Sequence, residues 1–397
     1  MEGQRVNILV TGASGFIGSN LSATLHNIKD GKDKSFGISR DINIFEYDIG
    51  KNIDTLEKYC KEASFVFHFA GVNRPQNTEE YMQGNYGFTE LLLNILKKYK
   101  NKCPIMFASS IQARLNNEYG ISKKAAEDLI ADYNRQNGVT TYIYRFPNIF
   151  GKWCRPGYNS VIATFCYNIS RNLPIHINNK ETVLELVYID DVVNEMVNAL
   201  KGIPNINRNG YGFVPELYKN SLGEIAELLY SFKNGRITKE IPDTTKGGFI
   251  KKLYSTYLTY IPETSLSYPL EMKTDERGSF TEIIRTPDRG QFSVNIIKPG
   301  VTKGEHWHNT KNEKFVVVSG IGLIQLRRTG NDTGNTYPVL DYHVDGSKIE
   351  VIDIPPGYTH NITNEGESDL VVFIWSNEYF EQDKPDTYFL KVNEGFT

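Results

Sequence analysis

Three of the chain's seven histidines and one glutamate stand in a spacing that few folds can gather: His306-x-His308, four residues, then Glu313, with His360 well downstream. Two histidines at i and i+2 on a strand project from the same face. A narrow antiparallel barrel can therefore aim three imidazoles and one carboxylate at a single ion. Glycines bracket the first run at Gly300 and Gly320, and His360 sits in Pro355-Pro356-Gly357-Tyr358-Thr359-His360 with Asn364 beyond it. Short β-rich runs at 292–298, 315–318, 322–328, 349–354 and 370–375, separated by turn residues, predict a small antiparallel barrel or sandwich around this cluster. Scattered histidines are usually satisfied polar residues, but this spacing sets these apart. Three neutral imidazoles and a carboxylate suit a borderline divalent ion, zinc ahead of iron, manganese or nickel. Zn2+ held by His306, His308, Glu313 and His360 is the expectation.

The other end of the chain carries a different device. Thr11-Gly12-Ala13-Ser14-Gly15-Phe16-Ile17-Gly18 follows an apolar run at 6–10 and opens a helical pattern. In that context glycine permits a tight turn and close approach of backbone to a pyrophosphate, whose charge then rests on the helix N-terminus. Gly12, Ser14, Gly15, Phe16, Ile17 and Gly18 are the expected cofactor cradle. Apolar runs at 6–10, 65–70, 105–108 and 141–145 alternate with helical stretches at 79–98 and 119–135, the pattern of a parallel sheet covered on both faces. The run 35–38 reads as the second strand and ends in Ser39-Arg40. An acid there would bond the ribose 2′-hydroxyl, whereas Ser and Arg suit a 2′-phosphate. NADPH is thus expected over NADH, the plainer alternative being a surface Arg40 with Asp41 on the ribose. Asp48, read as following the third strand, could reach the adenine or stand as an exposed loop acid.

Tyr119-Gly-Ile-Ser-Lys123 is the catalytic signal. Residues i and i+4 share a helical face, so an ammonium can sit beside the phenol and favour its ionised form. Tyr119 could then exchange a proton with a carbonyl oxygen, with Ser109 or Ser110 at the end of the preceding strand bonding that same oxygen.

Composition bounds the remainder. A net charge of −3 offers no broad field for nucleic acid or an anionic membrane. No apolar run is long enough to insert into a bilayer, and glycines interrupt the N-terminal run too early for a signal segment. Cys60, Cys103, Cys154 and Cys166 lack Cys-x-x-Cys spacing and read as reduced thiols, so a cytoplasmic protein is expected. A change of character around Pro262 and Pro269 divides the chain into domains at 1–265 and 272–397.

The N-terminal motifs resemble the extended short-chain dehydrogenase/reductase family, which acts mostly on nucleotide sugars. Further points of likeness are His68-Phe69-Ala70-Gly71, Asn85, Arg145-Phe146-Pro147-Asn148-Ile149-Phe150-Gly151 and Tyr188-Ile189-Asp190-Asp191. The resemblance implies that Ala70 and Asn85 lie beside the cofactor and that Asn148 and Arg74 face substrate. The loop from the Ser pair to Tyr119 is shorter than in many members. Ile111-Gln112 stand where dehydratases of the family carry an Asp-Glu pair, so reduction is expected over dehydration.

The C-terminal spacing is similar to both boxes of the cupin family, except that Ile349 replaces a glycine expected before the second. Taken together, a doubly wound Rossmann-like α/β domain followed by an all-β cupin barrel resembles the CapF-type bifunctional reductase/epimerases of capsular polysaccharide synthesis over essentially the whole chain. Gly278-Ser279-Phe280-Thr281-Glu282, Lys311-Asn312-Glu313-Lys314-Phe315 and Pro385-Asp386-Thr387-Tyr388-Phe389-Leu390 carry that likeness, with 330–337 as an insertion. It implies a UDP-2-acetamido-2,6-dideoxy-4-keto-hexose substrate inverted at C3 by the cupin. Reduction at C4 with NADPH would then give UDP-2-acetamido-2,6-dideoxy-L-talose. Cupin barrels often pair, so a homodimer is the expected assembly. Lys298, Lys303, Lys314 and Tyr358 remain open as the C3 base. Two alternatives stand beside this: a one-step reductase whose cupin is a zinc-stabilised dimerisation module, and a 4-epimerase that recycles bound NAD.

Overall fold

The computed structural model describes residues 5–245, 247–286, 288–330, 337–381 and 383–393, so the insertion expected at 330–337 lies almost wholly outside the described residues. The chain forms two compact units, one of residues 1–229 and 252–261, the other of residues 230–251 and 262–397.

In the first unit, β1 (Val6–Thr11), β2 (Ile42–Tyr47), β3 (Phe65–His68), β4 (Ile105–Ser110) and β5 (Thr141–Phe146) form a parallel sheet in the order β2-β1-β3-β4-β5. Ile8, Leu9 and Val10 are fully buried, as a strand covered by helices on both faces requires. Helix α1 (Phe16–Lys29) follows β1. The expected helix at 79–98 is continuous but passes through a π-helical segment, Met82–Gly87, before Phe88–Lys98. A smaller sheet joins β6 (Asn148–Phe150), β7 (Val183–Tyr188) and β8 (Tyr218–Ser221).

The second strand expected at 35–38 is not one. Gly37 takes φ +63°, outside the β region, while Phe36 and Ile38 pack against the core from a turn. Their burial produced the apolar signal without strand pairing. The strand beside β1 is β2, so Ser39 and Arg40 precede it, at the end of the sheet away from the glycine-rich turn. Arg40 covers Gly31 just past α1, where a Cβ would meet its guanidinium at 2.4 Å. Asp41 pairs with Arg5 at 2.7 Å, and its carbonyl accepts Val6 N–H. None of these three stands where a ribose would bind, which overturns the basis of the NADPH expectation.

The second unit is built from two antiparallel sheets. One joins β9 (Lys273–Asp275), β10 (Gly278–Thr286), β11 (Gly290–Ile297), β13 (Glu313–Ser319), β16 (Val351–Ile354) and β18 (Leu370–Ser376). The other joins β12 (Thr302–Trp307), β14 (Ile321–Arg328), β15 (Leu340–Asp345), β17 (Tyr358–Asn364) and β19 (Tyr388–Phe389). Strands β11 and β18 alternate buried and half-buried positions along most of their length, and Ile297, Phe315, Ile324, Ile362, Leu370 and Val372 interlock between the sheets.

Candidate reductase site and candidate metal centre

At the C-terminal end of β1 the chain turns through Gly12 at φ +69°, where a Cβ would lie 2.7 Å from Ala70 N. A Cβ on Gly18 would lie 2.1 Å from the Gly12 carbonyl oxygen, so α1 packs onto the turn only with glycine there. Gly15 caps α1 without a side-chain hydrogen bond, leaving the first N–H groups uncapped by side chains, as an anion site needs. Ser14 is exposed, with Phe16 and Ile17 half-buried beside it. Ala70 N–H reaches Thr11 Oγ1 at 3.4 Å, and Asp48, the first residue after β2, accepts Ser14 N–H at 2.6 Å. Turn, Ala70 and Asp48 therefore share one end of the sheet.

The helix Glu118–Asn137 carries Tyr119 and Lys123. Burial pushes the Tyr119 phenol up to about 12, with a hydrogen bond to Ser110 pulling the other way. Lys123 is buried, donates to the Ala108 carbonyl at 3.2 Å, and is pulled down to about 8 by burial, partly offset by the Glu127 carboxylate. Burial thus favours the phenol over the ionised form expected beside an ammonium, which leaves Tyr119 a proton donor suited to reduction of a ketone. The serine pair divides. Ser110 is the one that bonds Tyr119, whereas Ser109 is buried and donates to Glu127 at 2.5 Å. Successive strand residues face opposite sides, so Ser109 cannot share the role and is corrected to a structural one.

Glu127 was not legible as important. It takes two bonds from Arg145, at 2.8 and 2.5 Å, in a pair with the carboxylate 2% exposed. Its place one turn beyond Lys123 was the available signal. Asn85 is buried in the π-helical segment and bonds both backbone groups of Val72 and the Ser122 hydroxyl. It braces the 71–72 turn next to Lys123, whose Nζ would lie 3.0 Å from a Cβ on Gly71. Asn148 is exposed and donates to the Glu185 carbonyl; Arg74 is exposed and donates to that of Gly157.

In the second unit, His306, His308, Glu313 and His360 converge, each offering a ligand atom within 4.8 Å of the others. A register shift between Gly304 and His306 in β12, with Glu305 at φ +62°, turns His306 inward. His308 and His360 are buried, and the Nε2 of each has no hydrogen-bond partner. His308 Nδ1 bonds the Asp386 carbonyl, which fixes Nε2 as the lone-pair nitrogen. The Glu313 Oε2 lies 3.2 Å from His360 Nε2 and 3.6 Å from His308 Nε2, so carboxylate and imidazoles face one another at the centre of the cluster. Burial, and then His360, push His306 down to about 4. Orphaned imidazole nitrogens around an ionised carboxylate are a donor set that fits a divalent metal.

His306 and Glu313 open onto a cavity of about 360 Å³. Its wall carries Lys239, Lys273, Arg285, Lys303 and Lys311, against Glu271, Glu282 and Glu313. Glu282 is shared by Lys239 and Arg285. Of the four bases left open, only Lys303 lines the cavity, its ammonium bonded to Asn295 at 2.9 Å and lowered by burial. Lys298 pairs with Asp369, Lys314 pairs with Asp353, and Tyr358 packs against the core.

Residues 8–209 match the NAD dependent epimerase/dehydratase family, and residues 273–388 match the polysaccharide biosynthesis C-terminal domain. The chain is 41% identical to the UDP-2-acetamido-2,6-beta-L-arabino-hexul-4-ose reductase of Pseudomonas aeruginosa, over 98% of this chain and 100% of that one. It superposes on the capsular polysaccharide assembling protein CapF from Staphylococcus aureus with a TM-score of 0.87 and 49% identity, covering 98% and 100% of the two chains. The UDP-glucose 4-epimerase of Thermotoga maritima shares the fold at 22% identity and a TM-score of 0.50, over 64% of this chain and 98% of that one.

Proposed function

The chain belongs to the NAD-dependent epimerase/dehydratase family and, over its full length, to the CapF-type enzymes of capsular polysaccharide synthesis, and from that membership we propose that it is a two-step UDP-sugar enzyme. The first unit reduces a 4-keto sugar with a nicotinamide dinucleotide. The second inverts C3 of a UDP-2-acetamido-2,6-dideoxy-4-keto-hexose beforehand, so that reduction yields UDP-2-acetamido-2,6-dideoxy-L-talose. The observation that carries the reductase is the Tyr119 hydroxyl hydrogen-bonded to Ser110 at the end of β4, with Lys123 one turn further along the same helix.

A bound nicotinamide supplies the hydride. Tyr119 gives its proton to the nascent C4 alkoxide while Ser110 holds the same oxygen, and the Lys123 ammonium is the neighbouring source that restores the phenol. In the second unit, the cationic wall suits a diphosphate. Lys303 takes the C3 proton, acidic only while C4 is a ketone, which makes epimerisation the first step. Zn2+, held by His306, His308, Glu313 and His360, would offset charge on the enolate oxygen. A homodimer is the proposed assembly, and sedimentation would read it.

Incubating the full chain with the 4-keto sugar in D2O, without dinucleotide, separates the possibilities. Deuterium at C3, lost in Lys303→Ala and kept in Tyr119→Phe, is expected. No exchange in the wild type would reduce the second unit to a metal-stabilised dimerisation module. Stoichiometric dinucleotide oxidation is expected with the wild type and absent in Tyr119→Phe. Turnover without net oxidation would instead mark a 4-epimerase recycling NAD.

A further inference from the structure

The residue that chooses between the two dinucleotides stands at the C-terminal end of β2. Tyr47 pairs in register with Thr11, and its carbonyl accepts Gly12 N–H at 2.9 Å, so the end of β2 is tied to the glycine-rich turn. The next residue, Asp48, is half-buried and is held against the same turn by the Ser14 N–H at 2.6 Å through Oδ2. That bond occupies one carboxylate oxygen and fixes the side chain over the turn. The other oxygen keeps its acceptor capacity.

In a doubly wound fold, an acid after the strand beside β1 bonds the adenosine ribose 2′-hydroxyl. The same carboxylate faces a 2′-phosphate with like charge and no proton to give. The basic residues that could reverse this are engaged elsewhere. Arg40 covers Gly31 on the far side of β2, and the Lys51 ammonium donates to the Glu46 carbonyl at 2.7 Å. We propose that Asp48 is the specificity-determining residue of the dinucleotide site and makes this chain select NADH over NADPH.

The proposal rests on nicotinamide binding by the first unit, and not on the identity of the sugar. It is therefore tested by calorimetric titration of the full chain with NADH and with NADPH, with no sugar present. The wild type is expected to bind NADH at least about tenfold more tightly, the range of a hydrogen bond to a charged acceptor. Asp48→Ser and Asp48→Asn should each shrink that ratio toward one or invert it, chiefly by tighter NADPH binding. Arg40→Ala should leave the ratio unchanged. NADPH selectivity in the wild type, a ratio unmoved in both Asp48 variants, a ratio that follows Arg40, or failure to bind either dinucleotide would overturn the proposal. Should an Asp48 variant fail to fold, the wild-type ratio and Arg40→Ala still decide. If the keto sugar proves not to be a substrate, the binding ratio stands unaffected, so the two failures are distinguishable.

Discussion

Ser109 and Ser110 differ by one position and by everything else. Ser109 lies in the buried Glu127–Arg145 network, while Ser110 faces Tyr119. Ser110→Ala is expected to lower kcat for reduction by about a hundredfold, the scale of losing one donor to a developing oxyanion, with stability unchanged. Ser109→Ala should instead cost about 1 kcal/mol of unfolding free energy and leave kcat near wild type; denaturant titration and initial rates together separate the two. The pH dependence belongs at the same scale. Lys123 is lowered to about 8 and Tyr119 raised to about 12. Reduction needs both protonated, and Lys123 loses its proton first. In the free enzyme kcat/KM should therefore be level below the Lys123 value and fall as pH rises through about 8, with no separate loss from Tyr119 until far more alkaline conditions. A profile level to about pH 10 would remove Lys123 from the proton path.

At the scale of elements, β12 decides the candidate metal centre. Strict alternation would put Lys303 and His306, three residues apart, on opposite faces. The irregularity at Gly304–Glu305 changes the phase, and both residues line the cavity. Gly304 sits at φ +104°, where a Cβ would lie 2.8 Å from the His360 carbonyl oxygen. Gly304→Ala is expected to destabilise the fold by about 1–3 kcal/mol and to leave the purified protein substoichiometric in metal by elemental analysis, with C3 exchange reduced in parallel. Full metal content in a folded Gly304→Ala protein would show that the bulge does not organise the ligands. His306→Ala should lower metal content without that backbone strain.

For the molecule as a whole, the two proposed chemistries predict two separable responses. A metal bound only by the folded state stabilises it by about 2.7 kcal/mol at a hundredfold excess over Kd. Chelation should thus lower the thermal midpoint of the unit holding His306, His308, Glu313 and His360, and abolish C3 exchange. It should leave binding of NADH by the other unit intact; calorimetric scanning and titration, with and without chelator, read both. Among the described residues no helix is long and apolar enough to cross a membrane. Much of this was legible beforehand. The glycine-rich turn, Tyr119 with Lys123, and the His/Glu spacing were local patterns, set by φ freedom, helical periodicity and strand alternation, and these need no partner to be read. The sequence by itself determined that an α/β half with a glycine-rich turn would be followed by a β-rich half with a His/Glu cluster. Only the tertiary structure decided which strand lies beside β1, which serine meets Tyr119 and which lysine enters the cavity. Each depends on a pairing partner, a buried network or a shifted register, and those join residues that sequence spacing alone does not connect.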